Sequence, residues 1–266
     1  MKSKLAIAAL ILLPVSGQYA MAEEATPVEE PSLTFSAELG FLFQTGDNRS
    51  GDIKLGLSMD HKNGKWLNLL NFNALAKKSE QEDAVTGEEV YESTENKWNI
   101  NGQTNYSIGE EGKNYLYGSA YYEQDKFSSF NYQTSASIGW GRHWIDNEKT
   151  SFFADIGPGI KYDELRADPT ATPVIEEHGE SAVILQAQAL YKHKLNEYVE
   201  FKQYFIVKQA FEDDQNSIYK SETALTAKLI DALQFKFSFR VDYDTEVEEG
   251  YENTNTETAV TLLYSF

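Results

Sequence analysis

Cysteine is absent from the chain, so disulfide frameworks and thiolate metal sites are excluded. An oxidising compartment is neither required nor ruled out by this, and a lipoprotein anchor is not expected. No stretch approaches 18 consecutive apolar residues, and no segment keeps a 3.6-residue period over three turns. A helical membrane protein is therefore not expected. Basic residues are scarce, 23 against 42 acidic ones for a formal charge of -19, which makes nucleic acid a poor partner. Histidine occurs four times, and there is no G-x-S-x-G elbow, phosphate-binding glycine loop or His-rich metal spacing.

What the chain does have is alternation. Hydrophobic residues make up 41% and mean hydropathy is -0.50. These values leave a membrane barrel open, because positions facing its lumen can stay polar. Aromatic residues reach 13%, enough for girdles at two membrane interfaces. Near the end, Thr258, Val260, Leu262, Tyr264 and Phe266 share one face, while Glu257, Ala259, Thr261, Leu263 and Ser265 share the other. A final strand with Val260, Leu262, Tyr264 and a terminal Phe266 resembles the signal read by the outer-membrane barrel assembly machinery. At the start, Lys2 and Lys4 precede an apolar run from Leu5 to Leu13, then Ala20-Met21-Ala22. This pattern predicts a cleaved signal peptide over 1–22, a flexible acidic periplasmic lead-in over 23–31 and a barrel over 32–266.

Within 32–266 the alternation breaks into twelve segments, an even number as single-chain bacterial barrels require. The first carries Leu33, Phe35, Leu39 and Phe41 against Thr34, Ser36, Glu38 and Gly40. In the fourth, Trp98, Ile100 and Tyr106 oppose Lys97, Asn99, Asn101, Gln103 and Asn105, a polar row suited to a wet lumen. The faces of the fifth, Tyr115 to Glu123, stay unassigned. In the eleventh, Phe235, Phe237 and Phe239 are expected on lipid with Lys236 and Arg240 inside, so arginine should be costly at Phe237 and tolerated at Ser238. With the amino terminus in the periplasm, the long connections Lys78 to Glu92, Glu164 to Glu180 and Asp244 to Asn253 fall outside. Lys62 to Lys65 and Ile230 to Ala232 are then tight periplasmic turns. The expected fold is an all-β, transmembrane, antiparallel up-and-down β-barrel of about 12 strands.

Several stretches are more specific. Ile145-Asp146-Asn147-Glu148-Lys149-Thr150, Gly157-Pro158-Gly159, Ser221-Glu222-Thr223-Ala224-Leu225 and Leu262-Leu263-Tyr264-Ser265-Phe266 resemble the YdiY-like family of salt-induced outer-membrane proteins. Thr45-Gly46-Asp47 resembles its Thr-Gly-Asn turn with Asp substituted. The resemblance implies an outer-membrane barrel and brings no catalytic residue or substrate.

The lumen is expected to carry both signs: Glu38, Asp52, Asp155, Glu222 and Asp242 with Lys54, Lys97, Lys161, Lys220, Lys236 and Arg240. Mixed charges in a confined barrel pair across strands and narrow the water path. Glu246, Glu248, Glu249 and Glu252 are expected to form an acidic external vestibule, alongside the carboxylates of 80–92 and 176–180. Such oxygens are candidate ligands for divalent cations that bridge to lipopolysaccharide, although no loop has fixed ligand spacing. His61, His143 and His193 fall near periplasmic strand ends and His178 in an external loop, with no serine placed to make a catalytic pair. The expectation is a porin-like channel for ions or small polar solutes, or else a non-conducting structural or envelope-stress barrel acting through its loops. Neither requires a cofactor or catalysis.

Overall fold

The computed structural model describes residues 31–44, 50–82, 89–109, 112–167, 174, 176–212, 215–247 and 251–265. The expected leader, almost all of the lead-in, Glu248, Glu249 and Phe266 lie outside them. Twelve strands form one closed antiparallel barrel in which each strand pairs with its sequence neighbours and β1 meets β12. They are β1 Ser32–Gln44, β2 Ser50–Asn63, β3 Trp66–Glu82, β4 Glu89–Ile108, β5 Asn114–Asp125 and β6 Phe130–Asp146. The circuit continues with β7 Thr150–Leu165, β8 His178–Lys194, β9 Val199–Ala210, β10 Ile218–Lys228, β11 Leu233–Asp244 and β12 Thr254–Ser265.

The turns follow from local chemistry. Between β2 and β3, Gly64 takes φ 56°, a conformation that Asn-Gly hairpins need and a Cβ would oppose. Two other turns at the same end share one device. The Asn147 carboxamide oxygen accepts from the amides of Lys149 (3.1 Å) and Thr150 (2.9 Å) between β6 and β7. Asn196 does the same with Tyr198 (2.8 Å) and Val199 (2.9 Å) between β8 and β9. Each asparagine replaces a backbone acceptor, so the chain reverses without a long loop. At the opposite end the connections spread to 166–177 and 245–253.

β3 and β4 depart from expectation. Their pairing runs on through Glu82↔Glu89, across a register shift at Lys77/Lys78, so most of the span read as a loop from Lys78 to Glu92 is a continued hairpin. At a rise of about 3.3 Å per residue, 17 and 20 residues far exceed the ~10 needed to cross a bilayer. The β3–β4 hairpin therefore projects beyond the wall. In the same way β8 begins at His178, which opens a strand instead of lying in a loop.

Period-two alternation places one apolar face outward all round. Leu39, Phe41, Ile53, Leu57, Ile138, Ile156, Val183, Phe205, Phe237 and Val260 are each 43–68% exposed. A continuous exposed belt of this kind has no place in water and is what a bilayer covers. Aromatic rings border it. Phe72, Trp98, Tyr122, Tyr132 and Tyr162 run across β3 to β7 at centroid spacings of 5.1–6.2 Å. Trp66 and Tyr106 (4.9 Å) and the chain Phe152, Tyr191, Phe201 lie towards the turn end. Where the wall is polar it satisfies itself: Gln203 donates to Ser221 Oγ (3.1 Å) and accepts from Thr223 (2.6 Å).

Phe237 is 45% exposed on this wall, so an arginine there would sit in hydrocarbon. Phe237→Arg is expected to cost about 2–4 kcal/mol if it lies near the midplane, measured by refolding into lipid vesicles. Ser238 corrects the sequence expectation for its neighbour. It is 2% exposed inside the lumen, so arginine there meets packed side chains instead of water. The suitable control is Lys236→Arg, and equal losses at 236 and 237 would contradict the register.

Candidate functional site

Inward residues come from the opposite parity of the same strands, which makes the lumen a layered polar interior. On β5 the odd positions turn in: Tyr115, Tyr117 and Glu123 are 1%, 4% and 9% exposed. This resolves the segment whose faces the sequence left open. Asn99, Gln103 and Asn105 of β4 are 5–7% exposed on the same interior.

The charged positions read from the sequence are distributed as follows. Lys236 donates to Glu38 Oε2 (3.0 Å) and stands 3.3 Å from Glu222, which also pairs with Lys202 at 3.2 Å. Lys54 pairs with Glu257. Lys220 donates to both carboxylate oxygens of Glu123 at 3.0 Å and lies 3.9 Å from Asp242. Asp242 also takes Arg240 Nε at 2.7 Å and has Lys97 at 3.8 Å. Lys161 pairs with Asp163 two residues along its own strand. Asp52 lies in register with Lys77, and Asp155 is surrounded by neutral donors. The partners Glu123, Asp163, Lys202 and Glu257 were not among the sequence candidates. Strand parity would have found Glu123 once one neighbour on β5 was placed; the pairings themselves have no local signal.

These bonds reinforce the closure of the barrel. β1 and β12 share four register positions among the described residues, Ser36↔Ser265 to Leu39↔Leu262. Across that short seam Glu38 of β1 binds Lys236 of β11 and Thr261 of β12 (2.9 Å), and Lys54 of β2 reaches Glu257 of β12. Charge-assisted bonds on the inner face thus add to a short backbone ladder.

At the end with the long connections the lumen opens into a cavity of about 360 Å³. Its lining includes seven carboxylates, Glu95, Glu123, Asp125, Asp242, Asp244, Glu252 and Glu257, against three cations, Lys97, Lys220 and Arg240. Phe127, Phe130 and Tyr251 add aromatic surface. Of the four vestibule carboxylates read from the sequence, Glu252 lines this cavity. Glu246 is exposed and does not, and Glu248 and Glu249 lie outside the described residues. Among the described residues six of its seven carboxylates stand on β4, β5, β11 and β12 and one, Glu252, on the 245–253 connection. Lys97, Arg240 and Glu257 also line a smaller void of about 50 Å³ below, so they form the narrowing between the two.

The histidines are engaged structurally. His61 meets Asn68 at 3.4 Å and His193 meets Thr150 at 2.8 Å. His143 packs between the rings of Tyr115 and Phe153, and His178 approaches Glu180 at 3.4 Å. Among the described residues no group of three His, Cys, Asp or Glu is arranged to hold a metal ion. Val260, Leu262 and Tyr264 stand 46–47% exposed on the outer wall of β12.

Residues 37–266 match the family described as "Protein of unknown function, DUF481". The chain is 23% identical over 232 residues to the uncharacterized protein YdiY of Escherichia coli K12, covering 85% of this chain and 80% of that one. Among solved structures, the translocator domain of the autotransporter NalP from Neisseria meningitidis aligns over 88% of this chain and 87% of its own, at TM-score 0.44 and 8% identity. An outer membrane channel from Pseudomonas putida F1 aligns over 91% and 97%, at TM-score 0.43 and 10% identity.

Proposed function

The chain belongs to the DUF481 family, and on that premise we propose that it is an outer-membrane barrel of a Gram-negative bacterium acting as a narrow, porin-like channel for ions and small polar solutes. The observation that supports the reading best is the mouth cavity, with seven carboxylates facing three cations above a charged narrowing. Such a mouth concentrates small cations and repels anions over about 8 Å at physiological ionic strength. Below it most of the charges named above stand in ion pairs, so charge discrimination belongs to the mouth and size discrimination to the lumen. On the same reading the apolar belt is covered by outer-membrane lipid and lipopolysaccharide, and the barrel assembly machinery inserts the chain through its last strand. No catalytic reaction is assigned.

A second reading, a non-conducting barrel that acts through its projecting hairpin and loops, draws support from the bonds that cross the lumen, such as Lys220 to Glu123 at 3.0 Å and Gln188 to Gln103 at 2.7 Å. Single-channel recording of the refolded protein separates the two. Small conductance steps with a weak cation preference that fades as salt rises are expected. Neutralising Glu95, Asp125 and Glu252 together should reduce the preference without abolishing the steps. Absence of steps in any salt would leave the second reading, and anion selectivity in the unmodified protein would overturn the assignment of selectivity to the mouth.

A further inference from the structure

Asp155 is a lumen carboxylate held by neutral donors alone. Glu38, Glu123, Asp163, Glu222, Asp242 and Glu257 each have a lysine or arginine at ion-pair distance. Asp155, 3% exposed, has none among the described residues. Its Oδ2 instead collects three neutral donors: Gln188 Nε2 at 2.8 Å, Tyr115 OH at 3.0 Å and Gln103 Nε2 at 3.3 Å. Its Oδ1 is fully buried and has no hydrogen-bond partner. Burying an ionised carboxylate without a countercharge costs several kcal/mol, whereas the three donated hydrogen bonds are made to its charged form. A cation at Oδ1 reconciles the two.

The surroundings define which cation. Gln188 Nε2 donates to Gln103 Oε1 (2.7 Å), Gln103 Nε2 to Asn105 Oδ1 (2.9 Å) and Tyr204 OH to Gln188 Oε1 (2.9 Å). Each of those amide oxygens therefore keeps a second lone pair. Gln103, Asn105 and Gln188 are 6–7% exposed, so the layer is an oxygen-rich, nearly dry set with one negative charge, drawn from β4, β5, β7, β8 and β9. Oxygen donors select hard cations, and divalent ions of that class are usually held by more than one carboxylate. We propose that Asp155 and the amide oxygens of Gln103, Gln188 and Asn105 form a binding site for a monovalent alkali cation inside the barrel. The site would exist whether or not the pore conducts, so it stands or falls separately from the channel reading.

The test is thermal unfolding of the refolded barrel in detergent at fixed pH and ionic strength, with sodium or potassium chloride against choline chloride. The wild-type midpoint is expected to be about 2–4 °C higher with the alkali cations, as a ligand of the folded state requires. Asp155→Asn should lose that difference, while Asp231→Asn, at a fully exposed turn position, should keep it. Should Asp155→Asn not fold, sodium NMR line broadening on the wild type, displaced by added potassium and lost in Gln103→Leu, reads the same site. Three results would overturn the proposal: no alkali dependence in the wild type, equal dependence in Asp155→Asn, or a response to pH with none to the metal, which would make the occupant a proton.

Discussion

Lys220→Met is expected to cost about 3–5 kcal/mol of refolding stability, the range for breaking a buried ion pair by removing one partner. Lys220 Nζ bonds both oxygens of Glu123 and the Tyr121 hydroxyl, all at 3.0 Å, and its side chain is 9% exposed. Without it, Glu123, itself 9% exposed, keeps its charge beside the Tyr121 hydroxyl with no other lysine or arginine at ion-pair distance among the described residues. The double variant Lys220→Met/Glu123→Gln should recover most of the loss, because the desolvated charge disappears with its partner. Urea titration of the refolded barrel measures both. A second readout follows from position: Lys220 is one of three cations lining the mouth, so the single variant should also raise cation preference in any conducting form. A single variant as stable as wild type would mean that water, not Lys220, satisfies Glu123.

Gly157→Val is expected to prevent folding outright, at a cost above about 3 kcal/mol, the upper end for overpacking a filled site. A Cβ on Gly157 would lie 2.5 Å from the Gly139 Cα and 2.7 Å from the Ile138 carbonyl carbon, both backbone atoms of β6. Gly139 is bounded in return by the Gly157 Cα and the Tyr117 ring, each 2.7 Å from a would-be Cβ. Two glycines thus let β6 and β7 approach where Tyr117 folds over them, and neither strand has a flexible side chain to yield. Gly102→Ala is the contrast, since the nearest atom there, Leu70 Cδ1, is 3.8 Å away. That variant should be neutral or more stable by about 0.4–1 kcal/mol through lost unfolded-state freedom. The heat-modifiable folded band on a gel distinguishes them, and a folded Gly157→Val would show that the β6–β7 approach is not a requirement of the barrel.

Both expectations depend on contacts that no local pattern announces. Strand number was legible because alternation with period two, interrupted by Asn-Gly or by an asparagine reversal, is a local property. Facing was legible on β1, β4, β11 and β12, where apolar and polar residues separate cleanly by parity. On β5 tyrosines occupy both parities, at 115, 117, 121 and 122, so hydropathy could not choose a face and only barrel closure did. Of the acidic mouth, the run of glutamates on the 245–253 connection is conspicuous in sequence and its Glu252 lines the cavity, whereas Glu95, Asp125 and Asp244 stand on three different strands and converge only in space.

By itself the sequence determined the barrel, its twelve strands and, on the strands where apolar and polar residues separate cleanly, which residues face out, since each follows from side-chain alternation along one strand. Tertiary structure alone decided which charges meet. Glu123 and Lys220 are 97 residues apart, on strands that are not neighbours. Strand number and stagger set the diameter of a closed barrel, and so which inward side chains reach across it. The same closure sets Asp155 among neutral donors while Lys161, Lys220 and Lys236 meet other carboxylates. Composition, which counts charges without placing them, carries no trace of that difference.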